Sequence, residues 1–96
     1  MIMLRLRVDF FLHGCRSLKD KRRRLVKLRD KFGSKSHVSV CESDYQDDHQ
    51  RAQWSFIVAT AGGVVAEQTC TEIETYLNLS VDAQILDVRR EWLGPI

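Results

Sequence analysis

Residues 2–12 read IMLRLRVDFFL, in which Ile2, Leu4, Leu6, Val8, Phe10 and Leu12 alternate with Met3, Arg5, Arg7, Asp9 and Phe11. A period of two sends successive side chains to opposite faces, so the stretch is a strand with one apolar face and one mixed face. The charges of Arg5, Arg7 and Asp9 argue against an export signal and for a strand of the folded protein. The alternation ends at HGCR (13–16), where Ser17, with Asp20 three residues on, matches the N-cap and N3 positions of a capping box. A helix is expected over 18–32. Its inward stripe is Leu18, Leu25, Leu28 and Phe32, with Val26 at the margin and Gly33 as the stop.

Outward from this β-α start, HVSVCESD predicts a strand over 37–44, YQDDHQ a loop, and AQWSFIVATA a strand over 52–61, together a hairpin with a longer than minimal turn. In VVAEQTCTEIETYLNL, Ala66, Cys70, Ile73 and Leu77 recur at helical spacing while Glu67, Glu72 and Glu74 lie outside, giving a helix over 64–78. DAQILDVRREWL closes as a strand over 83–92, with a bulge expected where Ile85 and Leu86 adjoin. The order β-α-β-β-α-β is the α+β, ferredoxin-like plan: a four-stranded antiparallel sheet with two helices on one face. The 96 residues are read as one domain, 1–96. Enzymes, RNA binders and regulatory modules share this plan, so it does not decide function.

With 44% hydrophobic and 29% charged residues the chain reads as an ordinary soluble globular protein. Cys15, Cys41 and Cys70 are odd in number and far apart, which suits reduced thiols in a cytoplasm better than structural zinc or a redox pair. Cys15, beside Arg16 and a helix start, is either a low-pKa thiol or a small loop residue. Net charge is only +2, yet residues 1–40 carry twelve Lys/Arg against three Asp, and residues 41–96 three against ten acids. Such asymmetry points to a basic surface for a polyanion and an acidic remainder that keeps the molecule soluble or meets a second copy.

The basic half centres on the first helix. Lys19, Arg23, Lys27 and Lys31 recur every four residues and form one ridge, with Arg24 beside them. Either the ridge is a solvated face, or a phosphate backbone runs along its length of about 22 Å and relieves the repulsion. At the helix start, Lys21 and Arg22 with His13, Gly14 and Ser17 describe a second option, a small-anion site on free N–H groups. The bland alternative has Lys21 and Arg22 laying their stems along the core. The acidic loop offers Glu42, Asp44, Asp47, Asp48 and His49 as a Mg²⁺-type site, or simply as turn formers. The hairpin carrying that loop is expected at the sheet edge opposite the helix start, about 20 Å away, so that only a dimer joins the two. No catalytic residue, metal or cofactor is assigned.

The open sheet face is expected to show Met3, Arg5, Arg7, Asp9 and Phe11 beside Gln53, Ser55, Ile57 and Ala59. It lacks the paired aromatics on which RNA-recognition domains stack bases. Its apolar members suggest a homodimer through this face or a sheet edge, with Trp54 and Trp92 as core or edge packing.

The stretches HGCRSLKDKRR (13–23), VSVCESDYQDDHQRA (38–52) and VRREWL (88–93) resemble the YlxP-like family of small bacterial proteins of unassigned function. The resemblance runs nearly end to end and is most specific at SLKDKR (17–22), at Glu42 with YQD (45–47), and at QRA (50–52). It implies a ferredoxin-like fold and genes often found beside those for translation and ribosome-maturation factors, and no catalytic, zinc or cofactor assignment. His49 stands where family members often have a bulky apolar residue. The resulting expectation is a cytoplasmic accessory protein in ribosome maturation or translation that binds ribosomal or precursor RNA through the basic face of the first helix. The alternatives are a homodimeric enzyme or small-anion-binding regulator with an inter-subunit site, and an adaptor for an acidic partner.

Overall fold

The computed structural model describes residues 1–95 and has the expected order: β1 (Ile2–Phe11), α1 (Leu18–Phe32), β2 (Val38–Asp44), β3 (Arg51–Thr60), α2 (Gly63–Ser80) and β4 (Gln84–Pro95). The strands form one antiparallel sheet in the order β2-β3-β1-β4, which with the two helices is the ferredoxin-like arrangement. The alternation of β1 is realised in full. Leu4, Leu6, Val8 and Phe10 are completely buried, and register pairs Leu6 with Phe56 and Val8 with Trp54 on the helix-covered side. Leu25, Leu28 and Phe32 of α1 and Ala66, Cys70, Ile73 and Leu77 of α2 close the core from above. Phe32 meets the edges of Phe56 and Tyr76 at 5.8 and 5.3 Å between ring centres. Each fully buried Leu or Phe contributes about 1.5–3 kcal/mol.

Ser17 caps α1 as expected, its side chain accepting from the Asp20 N–H at 3.0 Å. Gly14, at φ +70°, takes the left-handed turn that aims the chain into the helix. Gly33 ends α1 without left-handed backbone: its φ is −68°, and a Cβ there would stand 2.5 Å from the Arg29 carbonyl oxygen. The expected bulge in β4 is real, since Asp9 pairs with Asp87 and Phe10 with Ile85, leaving Leu86 unmatched. No helix among the described residues is long and apolar enough to cross a membrane.

Two expectations are corrected. Leu18 is only half-buried and Val26 is exposed, while Lys21 takes a place in the inward stripe of α1. The β2–β3 hairpin also lies at the same sheet edge as the start of α1, with Leu12 N–H donating to the Gln50 carbonyl at 2.8 Å. The reason is topological: a strand-helix-strand crossover brings β2 back parallel to β1, so both strands end at one edge.

Candidate functional site

Because the hairpin and the helix start share an edge, the most basic and most acidic segments of the chain meet there. The meeting point is Lys21, 2% exposed. Its ammonium donates to the carbonyl oxygens of Tyr45 (2.9 Å), Asp48 (2.7 Å), Arg51 (3.2 Å) and, more distantly, Gln46 (3.5 Å). Glu42 Oε2 lies 2.9 Å from the same nitrogen as an ion-pair partner, off the directions of these hydrogen bonds. A buried cation is tolerated only when paired and hydrogen-bonded, and here loop carbonyls and a carboxylate do both. Tyr45 adopts left-handed backbone at φ 62°, with its carbonyl held by Lys21 and its ring under the Arg51 guanidinium at 4.7 Å. Asp48 accepts from the Gln50 and Arg51 N–H groups at 2.8 and 3.2 Å. The Gln50 bond is the chief cause of a carboxyl pKa below the ordinary Asp value.

This hub bears on two earlier readings. Lys21 holds the loop through its backbone carbonyls, and among the described residues no three His, Cys, Asp or Glu gather as a ligand set. Asp44 and Asp47 are exposed, and Asp44 Oδ1 accepts from the Tyr45 N–H at 2.7 Å, a turn-forming contact. The small-anion constellation at the helix start is not assembled. Lys21 faces the interior, and the Ser17 hydroxyl is the cap. Asp20 already complements the helix terminus, its carboxyl pKa lowered chiefly by the bond from Arg23. His13 Nε2 lies 2.6 Å from Gln84 Oε1, and the ring stands edge-on to Phe11. The His13 carbonyl accepts from Arg24. Gly14 and Arg22 are exposed.

The ridge, by contrast, stands as drawn: Lys19, Arg23, Lys27 and Lys31 are all exposed. Arg23 pairs with Asp20 while keeping 75% of its side chain in solvent, and Lys31 lies 4.9 Å from the Tyr76 ring centre. Among the described residues no carboxylate pairs with Lys19, Lys27 or Lys31. Arg24 does not belong to this surface. Its side chain is 14% exposed, bonded to the His13 carbonyl at 2.7 Å and paired with Asp20 at 3.2 Å, so it ties the β1–α1 loop to the helix. Arg22 and Arg29, on the flank toward β2, are exposed and extend the basic surface. Lys35 and Arg16 continue it beyond each helix end.

That flank opens into a cleft of about 250 Å³ between α1 and the β2–β3 edge, lined by Arg22, Leu25, Val26, Arg29, Glu42 and Trp54 beside Lys21. Glu42 and Trp54 are direct partners across β2 and β3. Arg29 holds its guanidinium 5.7 Å from the Trp54 ring centre. Trp54 is 6% exposed, and its indole Nε1–H is buried without an acceptor. The reading of Trp54 as packing missed this. Glu42 at an inward position of the Val38, Val40, Glu42 alternation was the available signal, because an inward acid needs a partner.

The open sheet face shows the expected residues, with Met3 opposite Ala59, Arg5 opposite Ile57, Arg7 opposite Ser55 and Asp9 opposite Gln53. Its centre is a polar network. Arg5 donates twice to Ser55 Oγ, at 3.2 and 3.0 Å, Ser43 bonds Ser55 and Gln53, and Asp87 pairs with Arg7 and Arg89. Cys15 and Cys70 are buried and Cys41 is exposed, all three as free thiols. Desolvation pushes the Cys70 pKa up to about 11.

A comparison with curated proteins finds no match. Over residues 3–90 the sequence matches a family described as "Protein of unknown function (DUF503)", a span that takes in both helices, β2, β3, the Lys21 hub, β1 from Met3 and β4 as far as Arg90. With nearly the whole chain inside that match, the protein belongs to the DUF503 family.

Proposed function

We propose that this protein is a cytoplasmic RNA-binding accessory factor, acting in ribosome maturation or translation on ribosomal or precursor RNA, and that α1 is its interface. The observation that supports this most is the outer face of α1, where Lys19, Arg22, Arg23, Lys27, Arg29 and Lys31 are exposed and Asp30 is the one exposed acid. A fifteen-residue helix extends about 22 Å, enough to follow several phosphates, and charge of one sign along that length favours a polyanion over a single small ion. Lys21 and Arg24 are turned to contacts within the fold, which leaves the outer cations facing solvent.

The test replaces Arg23, Lys27 and Lys31 together by Gln and measures binding to ribosomal RNA fragments by filter retention. Binding is expected to fall by more than tenfold with the circular dichroism melt unchanged, and full retention of binding contradicts the reading. Crosslinking in cells followed by sequencing identifies the RNA.

The same proposal includes a homodimer. β4 is a twelve-residue edge strand on which Leu86, Trp92 and Leu93 are 45%, 50% and 40% exposed, the kind of unpaired edge that a second copy covers. Light scattering at micromolar concentration is expected to give twice the monomer mass, and Leu86→Lys to return it to the monomer.

A further inference from the structure

The geometry points to a base-reading site beside the ridge: the cleft between α1 and the β2–β3 edge takes one unpaired nucleobase, its edge against the Glu42 carboxylate and the Trp54 indole N–H. This rests on the RNA reading and specifies which chemistry the protein would recognise beyond phosphate charge. Three features support it. Trp54 lines the cleft and carries a buried indole N–H without an acceptor, so a ligand acceptor that reaches it on local opening of the cleft satisfies a donor already desolvated. Glu42, fixed by the buried ammonium of Lys21, supplies an acceptor on the adjacent strand. With Glu42 and Trp54 paired across β2 and β3, an acceptor and a donor from neighbouring residues complement an unpaired base that presents a donor next to an acceptor, as cytosine and adenine do with an amino group beside a ring nitrogen and uracil with N3–H beside a carbonyl. Arg29 completes the site, since a guanidinium plane both stacks on a base and neutralises its phosphate. At about 250 Å³ the cleft is smaller than the pockets of roughly 300–1,000 Å³ that enclose drug-sized ligands, and suits a single ring system.

The position is also appropriate to the ridge. Arg22 and Arg29 stand between the cleft and the outer cations, so a strand whose phosphates follow Lys19, Arg23 and Lys27 can turn one base toward Trp54 without leaving the helix. Dependence on the bases would then come from this cleft alone, with the ridge contacting only phosphates.

The experiment uses the full chain carrying Trp92→Phe, so that Trp54 is the sole tryptophan, titrated with hexamers of rC, rA, rG and rU and with an abasic hexamer of the same phosphate count. Base-bearing hexamers are expected to bind about tenfold more tightly than the abasic one and to change Trp54 emission. Trp54→Phe in the native chain should remove the preference while leaving abasic binding intact. Arg29→Gln, at an exposed position with the melt checked by circular dichroism, should weaken rC more than the abasic hexamer. Equal affinity for all hexamers with constant Trp54 emission overturns the cleft while leaving the ridge standing. Should no hexamer bind while cytidine monophosphate at millimolar concentration still alters Trp54 emission, the RNA reading fails and the cleft survives as a nucleotide site. Silence in both arms removes both.

Discussion

Lys21 and Lys27 sit on the same helix, fewer than two turns apart, and do opposite work. Lys21 faces inward, where loop carbonyls and Glu42 consume its charge, and what it contributes is the shape of the β2–β3 loop. Lys27 faces outward with no carboxylate partner among the described residues, and contributes nothing evident to the fold. A run of positive charge in a sequence is thus two populations separated by helical phase. Only the outward one is available to a ligand, and substitutions on the two faces should separate stability from binding.

The largest expected effect is at the inward face. Lys21→Met removes the cation from a buried pair, strands Glu42 and leaves the Tyr45, Asp48 and Arg51 carbonyls short of a donor, a loss of about 3–5 kcal/mol. Urea denaturation checks it, and hydrogen exchange should show the 45–51 loop opening first. A near-neutral result would mean that water replaces the ammonium without cost, and the contrast between faces would collapse.

Ser17→Ala comes next, at about 1 kcal/mol for a lost N-cap bond to the Asp20 N–H, measured in the same way. Its effect should be confined to stability, with RNA affinity unchanged once the protein is folded. A selective loss of affinity would instead revive an anion site at the helix start.

A smaller and pH-dependent effect is expected from Asp48. Its carboxyl pKa is lower folded than unfolded, mainly through the Gln50 N–H bond, so its stabilisation is complete above the unfolded value of about 3.9 and disappears as pH falls through the depressed folded value. Asp48→Asn should therefore be less stable than the native chain at neutral pH, with the gap closing on acidification toward pH 3 and below. A gap that stays constant with pH would show that the carboxylate charge is immaterial to the loop.

Much of the fold was legible because its signals are local. The six-fold alternation of β1, the Ser17–Asp20 cap and the Ala66, Cys70, Ile73, Leu77 spacing each specify an element without reference to distant parts of the chain. The site was less legible because it depends on which elements come together. Position 21 falls three residues after Leu18 and four before Leu25, squarely on the apolar stripe, but a lysine there has meaning only once the hairpin is seen at the same edge. The handedness and direction of the β1-α1-β2 crossover would have placed it there, and misjudging that direction separated two segments that are in contact. Arg24 was misread for a related reason, since the His13 carbonyl it serves comes from a turn made by Gly14 rather than from any helical neighbour. Trp54 was legible as core but not as an unpaired donor, because satisfaction of a polar atom is a property of the packed structure.

The smallest expected effect on stability belongs to the outward face. Arg23, Lys27 and Lys31 changed together to Gln should alter unfolding free energy by no more than about 0.5 kcal/mol per site, with relief of like-charge repulsion offsetting the lost Arg23–Asp20 pair. A cooperative loss several times larger would mean that these side chains hold the helix to the rest of the molecule.

The most direct test of the central claim is the salt dependence of RNA affinity, measured from low to physiological ionic strength for the native chain and for the Arg23, Lys27, Lys31→Gln variant. If each cation neutralises one phosphate along α1, log affinity should fall steeply with log salt for the native chain, and the variant's slope should be shallower by roughly two to three units. Identical slopes, with RNA still bound, would contradict the assignment of α1 as the interface.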